Sequence, residues 1–373
     1  MNDLSVLLPM ATTPDELDAY LTPNSPSANG PLLPQAPYLS DPNAYSLTPL
    51  RVVAFRLDPC FGVIGPIGEA STCDNQIRLV FQPLNGDAPH ADDAGVHVSY
   101  SLTRDQLLAA VREIASARAA VDDRDLGPLA VNPIVVREGL TGEMAHSLMA
   151  IVAKYADGTK IERITTFELQ VGNIPGMGSG VNLDEAPQRW NMHGMTVSSG
   201  LETTLIIPTL GVANTTEVSI EKASSNPLEG SLTPETTSAD DVALLTDTAR
   251  AMAASPAARQ AAFDAALRVE NPNKNTPDTI DCASCHMAEP ARALVGEQMF
   301  GMTTVGDPNA FVADASIPVA DLAATTTTIV DPTNGALNIH AFSYLASTPM
   351  INQRVINETA AILAYLQPLV TTD

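Results

Sequence analysis

Six consecutive residues, Asp281-Cys282-Ala283-Ser284-Cys285-His286, carry the most specific chemistry in this chain. Two cysteines separated by two residues, with a histidine directly after the second, match the attachment spacing of c-type haem. Each thiolate adds across one vinyl group of the porphyrin, and the adjacent imidazole is then held under the iron as an axial ligand. A dithiol redox motif shares the CxxC spacing, but it expects a βαβ setting and has no need of His286. Zinc would need a second Cys or His pair at finger spacing, which is missing. The reading therefore expects one covalent haem c, with thioether bonds at Cys282 and Cys285 and His286 as the proximal iron ligand.

A second cluster of metal-binding residue types lies in Trp190-Asn191-Met192-His193-Gly194-Met195, which holds the only tryptophan. Thioether and imidazole donors at Met192, His193 and Met195 suit Cu(I). A strand there would turn Met192 and His193 to opposite faces, and a buried Trp/Met cluster is the competing reading. The acidic run Asp87 to Asp93 departs from EF-hand spacing and reads as a solvated loop. No Ser/His/Asp or paired-carboxylate arrangement stands out, so any catalysis depends on the haem iron.

The elements that must position these residues are bounded by length and charge. With 373 residues the chain has room for two or three domains. The formal net charge of -24, from 43 acidic against 19 basic residues, argues against nucleic acid or an anionic membrane surface as a partner. It favours a redox protein partner with a basic docking face, although acidity also serves solubility alone. Beyond the motif, Cys60 and Cys73 fall in one loop-like stretch between strand-like runs. Haem c is attached outside the energy-transducing membrane, where disulfides persist. A Cys60–Cys73 disulfide is expected, contributing about 3 kcal/mol by closing a short loop; two buried thiols are the alternative.

No run of 18 or more apolar residues encodes a transmembrane helix. The start, Met1-Asn2-Asp3-Leu4, lacks a basic segment followed by an apolar one. Haem attachment requires export, so the reading expects a signal or lipid-anchor segment removed ahead of Met1, and a periplasmic or cell-surface location.

Along the chain, residues 1–49 read as a Pro-rich extended arm, with eight prolines from Pro14 to Pro49. Residues 50–220 read as an α+β domain. Short strand patterns at 51–57, 76–81, 96–102, 160–171, 192–197, 203–208 and 217–220 suggest a mostly antiparallel sheet. Ile77, Leu79 and Phe81 alternate onto one face. Two helices, one capped by Thr103 and running to about Ala120 and one over 142–155, are expected on one face of that sheet. Residues 221–240 read as a linker. Residues 241–373 follow as an all-α region: a helix capped by Ser238 or Asp240, another opened by Pro256, the motif, a turn-rich stretch over 306–335, and a final helix over 352–366.

From about Val242 to Gln367 the chain resembles a class I c-type cytochrome. The resemblance rests on Cys282-Ala283-Ser284-Cys285-His286, on Met350 shortly before the last helix, and on that helix. It implies an all-α cytochrome c-like haem domain in which His286 is proximal and Met350 supplies the distal thioether. Two departures leave the distal ligand open: a long Thr-, Ala- and Asp-rich insertion, and Pro349 preceding Met350 rather than following it. His340 competes with Met350 and would give bis-histidine ligation at a lower potential; Met299 and Met302 are further methionines in range. Arg292 and Arg354 suit bidentate contacts to haem propionates.

Together these residues point to an exported mono-haem electron carrier with an N-terminal docking domain. A peroxidase- or oxygenase-like haem enzyme with an open distal side is the alternative, as is a copper- or haem-binding sensory module.

Overall fold

In the computed structural model the N-terminal strands continue into one antiparallel sheet that receives the motif region on one face. The structure describes residues 1–34, 50–61, 74–85, 89–121, 127–171, 188–198, 200–207, 212–213, 215–220, 232–233, 242–323, 329 and 338–370. Eight strands follow one hydrogen-bonded path: Ser5–Leu7, Leu50–Phe61, Asp74–Asn85, Ala94–Leu102, Ile161–Val171, Gln188–Ser198, Thr215–Ile220 and Leu232–Thr233. Every pairing along it is antiparallel. The α+β class holds, and among the described residues no helix is long and apolar enough to cross a membrane.

Strand alternation divides the sheet chemically. Ile77, Leu79, Phe81, Val96, Val98 and Tyr100 are all fully buried. They lie on the face covered by the Arg104–Ala119 helix, which also contacts the Glu143–Tyr155 helix. Thr103 caps the first of these with a complete capping box: its hydroxyl accepts from the Gln106 amide while the Gln106 side chain accepts from the Thr103 amide. The opposite face carries Arg56, Arg78, Val80, His97, Ser99, Arg163, Thr165, Phe167 and Met192. The register shows it, setting Arg56 beside Arg78, Val80 beside His97, His97 beside Thr165, and Phe167 beside Met192. A sheet buried on both sides needs cover on both, and the C-terminal third supplies it here.

That cover comes from two directions. Ser255 caps the Pro256–Glu270 helix, with Pro256 in its first turn. This helix packs against the motif helix Cys282–Ala291, and one core joins Phe167, Trp190 and Met192 to Phe263, Leu267, Met287 and Val295. A larger core runs from Leu7 through Phe55, Leu79 and Val98 into Tyr344, Ile356 and Leu366. The final helix, Gln353–Val370, closes it; Thr359 and Ser5 share a 2.7 Å hydroxyl contact at the sheet edge.

The all-α expectation for 241–373 meets a two-stranded hairpin, Phe342–Leu345 with Thr348–Ile351, and Met350 sits on it. The hairpin exists because Tyr344 is anchored in the N-terminal sheet. Its amide donates to Gln82 Oε1 at 2.8 Å, its carbonyl accepts from Gln82 Nε2 at 2.9 Å, and its hydroxyl donates to the Leu8 carbonyl at 2.5 Å. The expected Pro-rich arm is described only to residue 34, where Leu32 and Leu33 are buried. Cys73 and the side chain of Cys60 lie outside the described residues, as does the linker apart from 232–233.

Candidate functional site

The motif begins at a helix start that its own first residue builds. Asp281, fully buried, caps the Cys282–Ala291 helix: Oδ1 accepts from the Ser284 amide and Oδ2 from the Ser284 hydroxyl, each at 2.8 Å. Cys282, Cys285 and His286 then fall at i, i+3 and i+4, which is one face of a helix. Beyond Pro290 the helix widens into a π-helix over Arg292–Met299. Such widened turns are frequent at functional sites.

His286 is held by the chain that crosses it. Its Nδ1 lies 2.7 Å from the carbonyl oxygen of Ile339, so the proton sits on Nδ1 and the Nε2 lone pair is left for a ligand. Burial lowers its pKa, keeping the ring neutral. The next residue along, His340, has the same tautomer: Nδ1 donates to Asn338 Oδ1 at 2.9 Å. Its Nε2 is buried without a hydrogen bond, 3.8 Å from Asp93 Oδ1. Burial, with His286 nearby, takes its pKa down to about 3. Asn338 also donates from Nδ2 to Met350 Sδ at 2.9 Å, tying together the two residues weighed as distal ligands.

Phe167 sits among the imidazoles. Its ring centroid lies 5.7 Å from His286, 5.5 Å from His340 and 5.8 Å from His97, and Trp190 stacks edge-on to His340 at 5.6 Å. His97 and His286 are themselves 5.9 Å apart with their planes tilted by 34°. Burial is the main cause that holds the His97 pKa well below the usual imidazole range, with His286 adding to it. Sequence reading passed over His97, Phe167 and Asn338. The signal for His97 was present in Val96-His97-Val98-Ser99-Tyr100: if the valines and tyrosine face one core, His97 and Ser99 must face the other side.

Three spaces meet at this cluster. A cavity of about 590 Å³ is lined by His286, His340, Met350, Asn338, Glu289 and Arg292, among others. Two recesses of about 80 Å³ each lie on the sheet side; both are lined by Arg78, His97, Pro277, Cys285 and His286, and Cys282 lines one of them. His286 is the one residue common to all three.

No family model, curated protein or solved structure matches this chain. The reading of the site rests on its own geometry.

The remaining sequence candidates divide. Arg354 reaches the sheet-side recess, but it is engaged by Glu358 at 2.8 Å and donates to the carbonyls of Asn275, at 2.9 Å, and Val269. Arg292 lines the large cavity and is paired with Glu270 at 2.6 Å and Glu297 at 2.5 Å. Both are committed to protein partners. Met302 is half-buried in the second core, and Met299 is exposed. Met192 is buried while His193 is exposed on the other side of its strand, so the structure splits the copper constellation with Met195. Asp87 of the acidic run lies outside the described residues.

The donor set, two thiols and a neutral imidazole on one helix face, is compatible with a covalently held haem. Cys282 and Cys285 are both free, and burial raises the Cys285 pKa, which disfavours its thiolate for disulfide exchange and for addition to a vinyl group alike. The sheet is antiparallel, without the βαβ setting of a dithiol redox motif. An imidazole whose Nδ1 is fixed by a carbonyl, beside two thiols on one helix face, is the arrangement a haem ligand requires.

Proposed function

We propose that this chain is an exported mono-haem c-type cytochrome that carries electrons, its helical C-terminal part forming a cytochrome c-like haem region. The observation that carries the reading is the motif helix itself. It presents Cys282, Cys285 and His286 on one face while the Ile339 carbonyl fixes the His286 tautomer. Cys282 and Cys285 would bind the haem covalently and His286 would hold its iron. The haem supplies a one-electron iron couple.

The chain's own contribution is burial, ligand orientation and charge. His340 and Met350 share the large cavity with His286 and are the ligand candidates on that side. The aromatic pair Phe167 and Trp190, 6.0 Å apart, offers a polarisable path between the site and the sheet. The acidic surface charge favours a basic redox partner.

The test is optical. Chain matured in cells that attach haem c should show a low-spin spectrum that cycles reversibly between reductant and oxidant and is unchanged by peroxide. A resting five-coordinate spectrum that reacts with peroxide would replace the carrier reading with that of a haem enzyme.

A further inference from the structure

We infer that the segment 301–323, which walls the large cavity, is the docking face for the redox partner, and that this partner presents a basic surface with an apolar centre. The inference rests on the carrier reading above and places on the molecule the partner that reading calls for.

The segment repeats itself. Val305-Gly306-Asp307, Val312-Ala313-Asp314 and Val319-Ala320-Asp321 each set a valine two residues before an aspartate, at a constant spacing of seven. The three valines are 87%, 82% and 84% exposed, more than any other large apolar side chain among the described residues. Apolar residues scattered singly over a surface are ordinary; three in one short segment mark an interaction site.

The chain is anchored while it exposes them. Asp307 Oδ1 accepts from the Asn309 amide and Asp314 Oδ1 from the Ser316 amide, each at 2.8 Å, so each carboxylate closes a turn just after its valine. Asn271 Nδ2 donates to the Asn309 carbonyl at 3.1 Å, and Gln353 Nε2 donates to the Leu322 carbonyl at 2.9 Å. Thr304, Phe311 and Leu322 line the cavity and Ile317 is buried, which leaves the valines on the outer side. A surface ordered before binding loses little entropy when a partner arrives.

Charge names the occupant. Between Arg292 and Arg354 the sequence has five acidic residues and neither Lys nor Arg. With a net charge of -24, a second copy of this chain is repelled, as is an anionic membrane. A basic protein is attracted, and its apolar centre covers the valines while its charged rim meets the aspartates. Seated there, it covers the outer wall of the cavity that His286 also lines.

The experiment uses the whole haem-bearing chain, with mitochondrial cytochrome c as the basic redox probe. Titration calorimetry at low and moderate salt reports binding, and stopped-flow absorbance reports electron transfer. One variant is Val305→Ser/Val312→Ser/Val319→Ser, and a second is Asp307→Asn/Asp314→Asn/Asp321→Asn, in which asparagine keeps the turn acceptors. A control, Asp15→Asn/Asp105→Asn/Glu143→Gln, removes as much charge from exposed positions elsewhere. We expect thermal midpoints like the parent's in all three. Both segment variants should weaken binding and slow electron transfer by about fivefold or more, and the control by less than about twofold. The aspartate variant should also show a flatter salt dependence. A valine variant that binds like the parent, or a control that loses as much as the aspartate variant, overturns the inference. So does a parent dimer, seen in sedimentation, that the valine variant dissociates, because the occupant is then a second copy. A chain without covalent haem whose segment variants still lose binding defeats the carrier reading and leaves the docking face standing.

Discussion

Gly95 and Phe167 face each other across the Ala94–Leu102 and Ile161–Val171 strands, and the Phe167 ring occupies the space that a side chain on Gly95 would need. A β-carbon built on Gly95 would fall 2.5 Å from Phe167 Cε1. This is an aromatic ring filling the gap over a strand glycine, and the ring it holds is the one that touches three imidazoles. Gly95→Ala should therefore displace Phe167 and cost about 1–3 kcal/mol by overpacking. Urea unfolding measures the loss, and a change in the near-ultraviolet signal of Trp190 reports the displaced ring. Unchanged stability and spectrum would mean the ring is not confined.

A buried ion network ties the sheet to the last helix. Glu358 binds Arg56 at 2.5 Å and Arg354 at 2.8 Å, and Arg56 also holds Asp58 at 2.5 Å. Burial alone would raise the Glu358 pKa; Arg56, Arg354 and Arg78 outweigh it and bring it down to about 2. A carboxyl with a folded value below its unfolded value of about 4.3 stabilises the protein above that pH and loses its contribution as pH falls toward 2. Glu358→Gln should cost about 3–5 kcal/mol at neutral pH, because it strands buried arginines. Acid titrations should also find its stability less steep than the parent's below about pH 4.

Glu289, in the wall of the large cavity, has the opposite sign. Burial is the main cause that raises its pKa, and Glu270 raises it further. A carboxyl raised on folding withdraws stability as pH climbs past its unfolded value toward its folded one. Glu289→Gln should flatten the stability profile through the mildly acidic range. A profile identical to the parent's would contradict this.

Asn338 braces the far side of the site, accepting from the His340 amide at 3.0 Å and from its ring at 2.9 Å, and donating to Met350. Asn338→Leu leaves buried donors unpaired and should lower stability by about 1–3 kcal/mol. If His340 or Met350 is the iron's second ligand, the low-spin spectrum should weaken in this variant, and an unchanged spectrum would argue against both.

Copper uptake is expected to fail. Met192 faces one side of its strand and His193 and Met195 the other, so the three donors cannot meet at one Cu(I) ion, and a bathocuproine competition assay should find no stoichiometric site. Uptake that disappears in His193→Ala would show that the strand rearranges.

What was legible in the sequence was mostly local. Thr103 as a cap, Pro256 as a helix opener, and the apolar stripe of the final helix all read directly, because capping and periodicity act over four residues. The motif was legible for the same reason. The hairpin at 342–351 escaped because its strands are four residues each and owe their existence to Gln82, some 260 positions away. His97 escaped because a single histidine among valines shows its partner only once the sheet is folded over the motif helix. The alternation that separates Met192 from His193 was foreseen, and it is what the structure displays.

The central claim is covalent haem at Cys282 and Cys285, and intact-mass spectrometry tests it most directly. The chain, produced behind an added export signal in cells that attach haem c, should gain the mass of one haem. Its two motif thiols should resist alkylation, and Cys282→Ala/Cys285→Ala should lose the added mass. A chain that emerges from those cells at its unmodified mass, with both thiols open to alkylation, would contradict the account.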